Sequence, residues 1–228
     1  MNIIAIETSS RVGSVALVRN GTVARDLSFE KGMEHGRLLQ VKLDEICRAE
    51  GVAPRQDIDA VAVSQGPGSF TGLRVGVACA KALAFAIERP IVAVCSFDAL
   101  ACNAPADAAR ACTTLDAKRG DVYFGVYERD GQDWIRREGP AVARPEEVVA
   151  KLERPVWVLG DAARAHRYAF SGEGLHIAPE EAWRVRAGEV GLLGHRMAIE
   201  GRFADPDALV PIYLRRPEAE EKRLASSM

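Results

Sequence analysis

Two short stretches of this chain carry the residue types that hold phosphate groups in other proteins. The first, Glu7-Thr8-Ser9-Ser10, offers three hydroxyl groups directly after a short apolar segment. The second is Gly66-Pro67-Gly68, between an apolar run and a long apolar helix pattern. We expect positive φ at both glycines and hence a tight turn. Backbone N–H groups there could bind a phosphate; a plain β-turn or a purely structural turn is the alternative.

The signatures of common catalytic sites are missing from the sequence. The glycine turn does not continue into the Lys-Ser/Thr of a P-loop, and no G-x-G-x-x-G motif is present. No serine lies in a G-x-S-x-G elbow. No two histidines are four residues apart, as a helical zinc site would need. The sequence therefore predicts no metal site and no cofactor.

The cysteines and three aspartates are weaker candidates for a metal site or a catalytic site. No two cysteines have C-x-x-C spacing, so reduced, buried thiols are predicted rather than a zinc site. Asp116 and Asp121 flank a turn and would suit an acid–base pair, although aspartate is also a common turn residue. Asp161 could contact a ribose or a metal, but a helix N-cap is the commoner role for such a residue.

Composition is that of an ordinary globular protein. The 228 residues are 48% hydrophobic and 27% charged, which suffices for one large domain or two small lobes. The net charge of −2 gives no overall attraction to nucleic acid, so RNA contact would need a local basic patch or a basic partner. The first residues lack the basic and apolar regions of a signal peptide, which predicts a cytoplasmic protein.

The elements around these turns form a pattern that occurs twice along the chain. Alternating and apolar runs predict strands at 3–6, 13–18, 22–29, 58–63, 91–94, 111–115, 122–127, 134–137 and 155–159. Helices are predicted over 34–50, 72–87, 97–102, 145–152, 161–168 and 187–200, and a loop over 172–179. Asn20-Gly21 predicts a hairpin between the second and third strands.

The strand–turn–strand order begins again near residue 111, which predicts a duplicated α/β architecture of two related lobes. The first lobe covers 1–100 and is completed by 190–216. The second lobe covers 101–189, and we expect 217–228 to be a mobile tail.

The helix pattern over 72–87 is apolar nearly all round, with only Arg74 and Lys81 charged. Small residues recur at every fourth position, namely Gly72, Gly76, Ala80 and Ala84. The pattern alone favours a core helix that packs between its sheet and neighbouring helices. The alternative is a helix whose small-residue stripe meets a partner chain.

Four motifs occur in a fixed order from residue 3 to about 216. They are Ile4-Ala-Ile-Glu-Thr-Ser-Ser10 with Gly13-Ser-Val-Ala-Leu17, Gly66-Pro-Gly-Ser-Phe-Thr-Gly-Leu-Arg-Val-Gly76, Leu115-Asp-Ala-Lys-Arg-Gly-Asp-Val-Tyr123 and Pro211-Ile-Tyr-Leu-Arg215. Together they closely resemble the bacterial TsaB (YeaZ) family. The glycine-rich motif is the specific one, and the others are weaker alone.

The resemblance implies a fold like the nucleotide-binding lobes of actin, sugar kinases and Hsp70. It also implies a role in making threonylcarbamoyladenosine next to the tRNA anticodon. Members of the family are non-catalytic partners of a paralogous enzyme, TsaD. That enzyme holds a metal through a histidine pair and transfers the threonylcarbamoyl group from an adenylate. An ATPase, TsaE, joins the complex, and tRNA is expected to be reached through the complex.

The resemblance further implies that the partner surface comes from the two helices of the first lobe. In this sequence the expected interface residues are His35, Leu38, Leu39, Phe70, Gly72, Leu73, Gly76, Val77, Ala80 and Ala84. An isolated chain is expected to form a homodimer through the same face. The family usually has Asp where this chain has Glu7, so the resemblance implies a vestigial nucleotide loop at Glu7, Thr8, Ser9 and Ser10.

Two other functions are compatible with such a fold. One is a small ATP-binding phosphotransferase that uses Thr8, Ser9 and the turn at Gly66. The other is a metallopeptidase-like protein, against which the missing histidine pair argues.

Overall fold

A computed structural model of the chain describes residues 1–30 and 35–215, except the side chain of His35. It contains two five-stranded sheets flanked by helices. Strands of the first sheet are β1 (Asn2–Glu7), β2 (Val12–Arg19), β3 (Thr22–Glu30), β4 (Ala60–Gly66) and β5 (Ile91–Cys95). Strands of the second sheet are β6 (Arg110–Asp116), β7 (Val122–Asp130), β8 (Asp133–Ala143), β9 (Val156–Leu159) and β10 (Leu175–Ile177). The helices are α1 (His35–Ala49), α2 (Pro54–Asp57), α3 (Phe70–Ile87), α4 (Ser96–Ala101), α5 (Pro145–Lys151), α6 (Ala162–Ala165) and α7 (Ala187–Ile199), with a 3₁₀ turn at Glu180–Trp183.

Both sheets have the same topology. The strand orders are β3-β2-β1-β4-β5 and β8-β7-β6-β9-β10. In each sheet the first two pairs are antiparallel and the last two are parallel. The predicted duplication of strand order is therefore confirmed.

The predicted hairpin between β2 and β3 has a local cause. Asn20 and Gly21 both adopt positive φ, at 49° and 77°. Two successive residues of that kind give a turn whose twist matches the strands it joins.

Apolar residues form three layers around the two sheets. Alternate residues of β1 point to opposite faces: Ile4 and Ile6 pack under α1 and α3, whereas Ile3 and Ala5 face the space between the sheets. That middle layer also holds residues of α4 and α7 and of the second sheet. The third layer lies under α5 and α6. The carboxyl ends of β1 and β4 are thereby placed beside the beginning of α3.

Some sequence predictions need correction. The predicted loop over 172–179 contains β10, whose three residues are too few to leave a pattern. Helix α6 ends at Ala165 instead of 168, and His166 already has a non-helical φ of −121°. Strand β8 continues to Ala143, well past the predicted 137. Glu34 and the tail over 217–228 lie outside the described residues, and the lobe boundaries stay a prediction.

Candidate functional site

The three hydroxyl groups that follow β1 are hydrogen-bonded within the chain. Thr8 Oγ1 donates to the Gly72 carbonyl at 2.8 Å. Ser9 Oγ donates to Glu7 Oε1 at 2.5 Å, and Ser10 Oγ donates to a backbone carbonyl two residues later at 2.8 Å. Thr8 and Ser9 are also buried. The hydroxyls that could have faced a phosphate therefore hold the loop itself together.

The beginning of α3 is engaged by the same loop. Ser69 caps the helix, because its Oγ accepts from Gly72 N at 3.3 Å. Its own N–H donates to the Ser9 carbonyl at 2.6 Å. A Cβ atom at Gly68 or Gly72 would come within 3.0 Å of the carbonyl oxygens of Ser9 and Thr8. The helix N-terminus is thus packed directly against the loop after β1.

Both glycines of the turn are required, but for different reasons. Gly66 has a φ of 110°, a conformation that favours glycine, and its N–H donates to Ser96 Oγ at 3.1 Å. Gly68 does not have positive φ, so that part of the prediction is wrong. Its side-chain position is instead filled by the backbone of Ser9. A residue with a side chain would clash with Ser9 at this position, which explains why it is a glycine.

Glu7 is the ionisable residue that ends β1. Its side chain is fully buried, and Oε1 accepts from the N–H and the hydroxyl of Ser9, both at 2.5 Å. Oε2 is buried without a hydrogen-bond partner among the described residues. Burial raises the pKa of Glu7 to about 7, although the side chain of Ser64 and the hydrogen bonds from Ser9 partly oppose this shift. The carboxyl group is therefore half protonated near neutral pH.

The three aspartates of the second lobe are held by neighbouring groups. Asp121 binds Arg144 at 3.0 Å and also Arg215. Asp116 binds Lys118 Nζ at 2.6 Å; burial acts to raise its pKa, but the hydrogen bonds and charge of Lys118 lower that pKa overall. Asp161 accepts from the N–H of Asp116 at 3.0 Å and makes no side-chain cap. These contacts brace turns. Asp161 occupies the N-cap position of α6, as predicted, but its side chain makes no cap hydrogen bond.

The cysteine thiols and the other side chains that could bind a metal are not clustered in the described part of the chain. No group of three His, Cys, Asp or Glu residues there has the geometry of a metal site. Cys95 and Cys112 are buried, as predicted, and burial raises the pKa of these thiols to about 11 and about 12. Cys102 is exposed, against the prediction.

The small-residue stripe of α3 faces the interior of its own chain. Six residues expected at a partner interface are buried against the first sheet, namely Gly72, Leu73, Gly76, Val77, Ala80 and Ala84. The glycines make room for Thr8, and the two alanines pack in the layer under α3. The interpretation that this stripe meets a partner is corrected, since buried side chains offer a partner no surface.

The other expected interface residues differ in exposure. Leu38 and Leu39 both belong to α1. Leu39 is fully buried in the layer between α1 and the first sheet, and Leu38 is half-buried against the same layer. Phe70 is half-buried beside Tyr213, and the Arg74 guanidinium lies 3.9 Å above its ring. The side chain of His35 lies outside the described residues.

The opposite face of α3 is apolar and open. Spacings of four, three, four and three residues separate Thr71, Val75, Ala78, Ala82 and Phe85, which we call the α3 seam. Val75 is half-buried, the others are exposed, and Phe85 is 88% exposed. This is the heptad spacing of a coiled-coil contact. The seam was not predicted from the sequence, because the helix is apolar on all sides and only the heptad spacing marks it.

The surroundings of the seam are also apolar. A cavity of about 570 Å³ lies between the ends of α1 and α3, lined by Leu43, Cys47, Val52, Pro54, Leu83 and Ile87 among others. On α1, Val41 is 52% exposed. By length and composition, α3 could also cross a membrane, a property that core helices of globular proteins share.

Known proteins are similar in sequence to this chain over nearly its whole length. The family model for TsaD, described as tRNA N6-adenosine threonylcarbamoyltransferase, matches residues 31–222. The tRNA threonylcarbamoyladenosine biosynthesis protein TsaB of Bacillus subtilis is 32% identical, over 99% of both chains. TsaB of Escherichia coli is 32% identical, over 97% of this chain and 98% of its own.

A solved structure has the same architecture. YeaZ from Pseudomonas aeruginosa superposes with a TM-score of 0.83 at 25% identity, covering 93% of this chain and 99% of its own. The predicted two-lobed α/β fold of the actin, sugar kinase and Hsp70 type is confirmed.

Proposed function

We propose a function from the family to which this chain belongs, the TsaB (YeaZ) family of tRNA threonylcarbamoyladenosine biosynthesis proteins. Within that pathway, the chain is a non-catalytic scaffold and activator. Its partner is a TsaD-type paralogue that installs threonylcarbamoyl on the adenosine next to the tRNA anticodon. A TsaE-type ATPase joins the complex, and tRNA reaches this chain through the complex.

The observation that carries the proposal is the α3 seam. A row of Thr71 and four apolar side chains at heptad spacing, with Phe85 almost fully exposed, is left open in the single chain. Such a seam is stabilised when a second helix covers it. A paralogue of the same fold has a helix at the corresponding position, so a pseudo-symmetric pairing of the two helices suits this surface.

The state of the polar groups also supports a scaffold. Thr8 and Ser9, which a phosphotransferase would need to expose, are buried and hydrogen-bonded. Asp116 and Asp121 are engaged by basic side chains. A scaffold needs neither free nucleophiles nor free carboxylates, so these engagements cost it nothing.

An isolated chain is expected to use the same seam for a homodimer. In an antiparallel pairing, Val75 would lie opposite Phe85 of the second copy, and Ala78 would lie opposite Ala82. Large and medium side chains then meet at the ends, and small ones meet in the middle. The paralogue and the second copy would compete for this surface, so the homodimer should dissociate when the paralogue binds.

The proposal is tested by replacing the chromosomal gene with variants and measuring threonylcarbamoyladenosine in total tRNA by mass spectrometry of nucleosides. Ala82→Arg places a long cation in the middle of the seam and should abolish the modification. The matched control is Ala165→Arg, which changes an exposed alanine on a helix of the second lobe. Normal modification with a folded Ala82→Arg protein would overturn the assignment of the seam.

A further inference from the structure

The described chain ends in a segment that runs from one lobe to the other. We call residues 209–215 the C-terminal strap. It starts at Leu209, which is buried in the layer under α1 and α3. It ends at Arg215, whose partners belong to the turn between β6 and β7 in the second lobe. The segment therefore joins the carboxyl end of β4 to the carboxyl end of β6.

The first-lobe end of the strap pairs with Gln65. The N–H of Ile212 donates to the Gln65 carbonyl, and Gln65 Nε2 donates to the Val210 carbonyl, both at 2.8 Å. The glycine that follows allows this approach, since a Cβ at Gly66 would lie 3.0 Å from the Ile212 carbonyl oxygen. Gly66 thus serves the strap as well as the turn.

An aromatic contact fixes the middle of the strap. The ring centroids of Tyr213 and Phe70 are 4.9 Å apart. Arg74 lies over the Phe70 ring and donates through Nε to Tyr213 Oη at 3.0 Å. Tyr213 is thereby held to the first turn of α3 by a ring contact and a charge-assisted hydrogen bond.

The second-lobe end is held by one guanidinium. Arg215 donates to the carbonyls of Ala117 and Lys118, at 2.8 Å and 3.3 Å, and pairs with the Asp121 carboxylate. Both side chains of this ion pair are mostly buried, at 24% and 18% exposed. The turn needs such bracing, because Lys118 and Arg119 both adopt positive φ, which is uncommon for residues other than glycine.

A second connection between the lobes lies in the middle apolar layer. Ala5 of the first sheet and Tyr127 of the second belong to the same buried cluster, together with Phe97 of α4 and Val190 of α7. Two lobes joined only there could still rotate about that layer, as lobes joined along one side do. Ion pairs of Arg136 with Asp98 and of Arg196 with Asp133 also cross between the lobes, and the strap adds a further tie, between the carboxyl ends of the two sheets.

We propose that the C-terminal strap is a clasp that couples the first turn of α3 to the turn between β6 and β7. The clasp makes the two lobes move as one body and fixes the direction of the α3 seam relative to the second lobe. A clasp of this kind has a signature, because a change at either end must loosen the other end. Coupling between two sites is reciprocal.

The coupling is measured by hydrogen exchange in the full-length protein. Arg215→Ala removes the second-lobe anchor, and Tyr213→Ala removes the first-lobe anchor. We expect Arg215→Ala to speed exchange of the Ile212 amide roughly fivefold to tenfold, and Tyr213→Ala to speed exchange of the Ala117 and Asp121 amides to a similar degree. In the native protein, Ala117 N donates to the Asp121 carbonyl and Asp121 N donates to the Lys118 carbonyl.

Arg202→Ala is the matched control, since Arg202 is an exposed arginine just before the strap and pairs locally with Glu200 at 2.7 Å. It should leave all these amides unchanged. Arg215→Lys and Tyr213→Phe give milder forms of the two changes if an alanine variant fails to fold. Faster exchange confined to the mutated end, in either pair of variants, would overturn the clasp. Equal acceleration by Arg202→Ala would overturn it as well.

Discussion

Thr8 Oγ1 occupies the space that a Cβ atom at Gly76 would need, and the two would come within 3.0 Å of each other. The same hydroxyl donates to the Gly72 carbonyl one turn earlier in α3. We therefore expect Gly76→Ala to lower the free energy of unfolding by about 1–3 kcal/mol, the usual cost of overpacking a core. Chemical denaturation at constant pH measures this difference.

The control for this prediction removes the clash from the other side. Thr8→Ala deletes Oγ1 and leaves Thr8 Cβ, which lies 3.3 Å from the position that a Cβ atom at Gly76 would take. The double variant Thr8→Ala with Gly76→Ala should then lose less unfolding free energy than the sum of the losses in the two single variants. Strictly additive effects would show that the two residues do not compete for this space.

The two faces of α3 should respond in opposite ways to a charge. Ala80 is fully buried, whereas Ala82 is exposed on the seam. Ala80→Arg should cost about 3–5 kcal/mol or prevent folding, because an unpaired charge would enter the core. Ala82→Arg should leave the melting temperature within a few degrees of the wild-type value. A stable, soluble Ala80→Arg protein would refute the orientation of the helix.

The architecture was predictable because it depends on local periodicity, but the orientation of α3 was not. Strand alternation, the Asn20-Gly21 hairpin and the glycine turn each leave a signal over a few residues. Helix α3 is apolar on both faces, so hydrophobicity could not indicate which stripe is buried. The decisive contact is between Thr8 and the glycines of α3, more than sixty residues apart, and no local pattern encodes it. The pairing of Arg215 with Asp121 is non-local in the same way.

Glu7 should make stability fall as pH rises from weakly acidic to neutral. Its pKa is raised from 4.5 to about 7 in the folded chain, so between these values the folded state binds more protons than the unfolded state. The slope of unfolding free energy against pH is then negative, and its full extent is about 3 kcal/mol. Well below pH 4.5 and well above pH 7, Glu7 does not change the slope of unfolding free energy against pH.

Glu7→Gln isolates that contribution, because other buried acids, such as Asp26 and Glu189, also have raised pKa values. The amide can still accept from Ser9 but cannot ionise. We expect Glu7→Gln to gain stability over the wild type progressively between pH 5 and pH 8, by roughly 1–3 kcal/mol at the upper end. Parallel pH profiles for the two proteins would contradict the assignment.

Purified alone, the protein should be catalytically silent. The hydroxyls after β1 and the helix N-terminus are engaged within the chain, which leaves a bound nucleotide without activating groups there. We expect ATP turnover far below the ~1 per second of ordinary enzymes. Turnover at that rate, abolished by Thr8→Ala, would instead support a phosphotransferase.

The central claim is that the α3 seam binds a TsaD-type paralogue. The most direct measurement is a calorimetric titration of the purified paralogue from the same cell into the wild-type protein, Ala82→Arg and Ala165→Arg. We predict that Ala82→Arg weakens binding at least about a hundredfold while remaining folded, as disruption of an interface centre does. Ala165→Arg should bind like the wild type. A folded Ala82→Arg protein with wild-type affinity would contradict the claim.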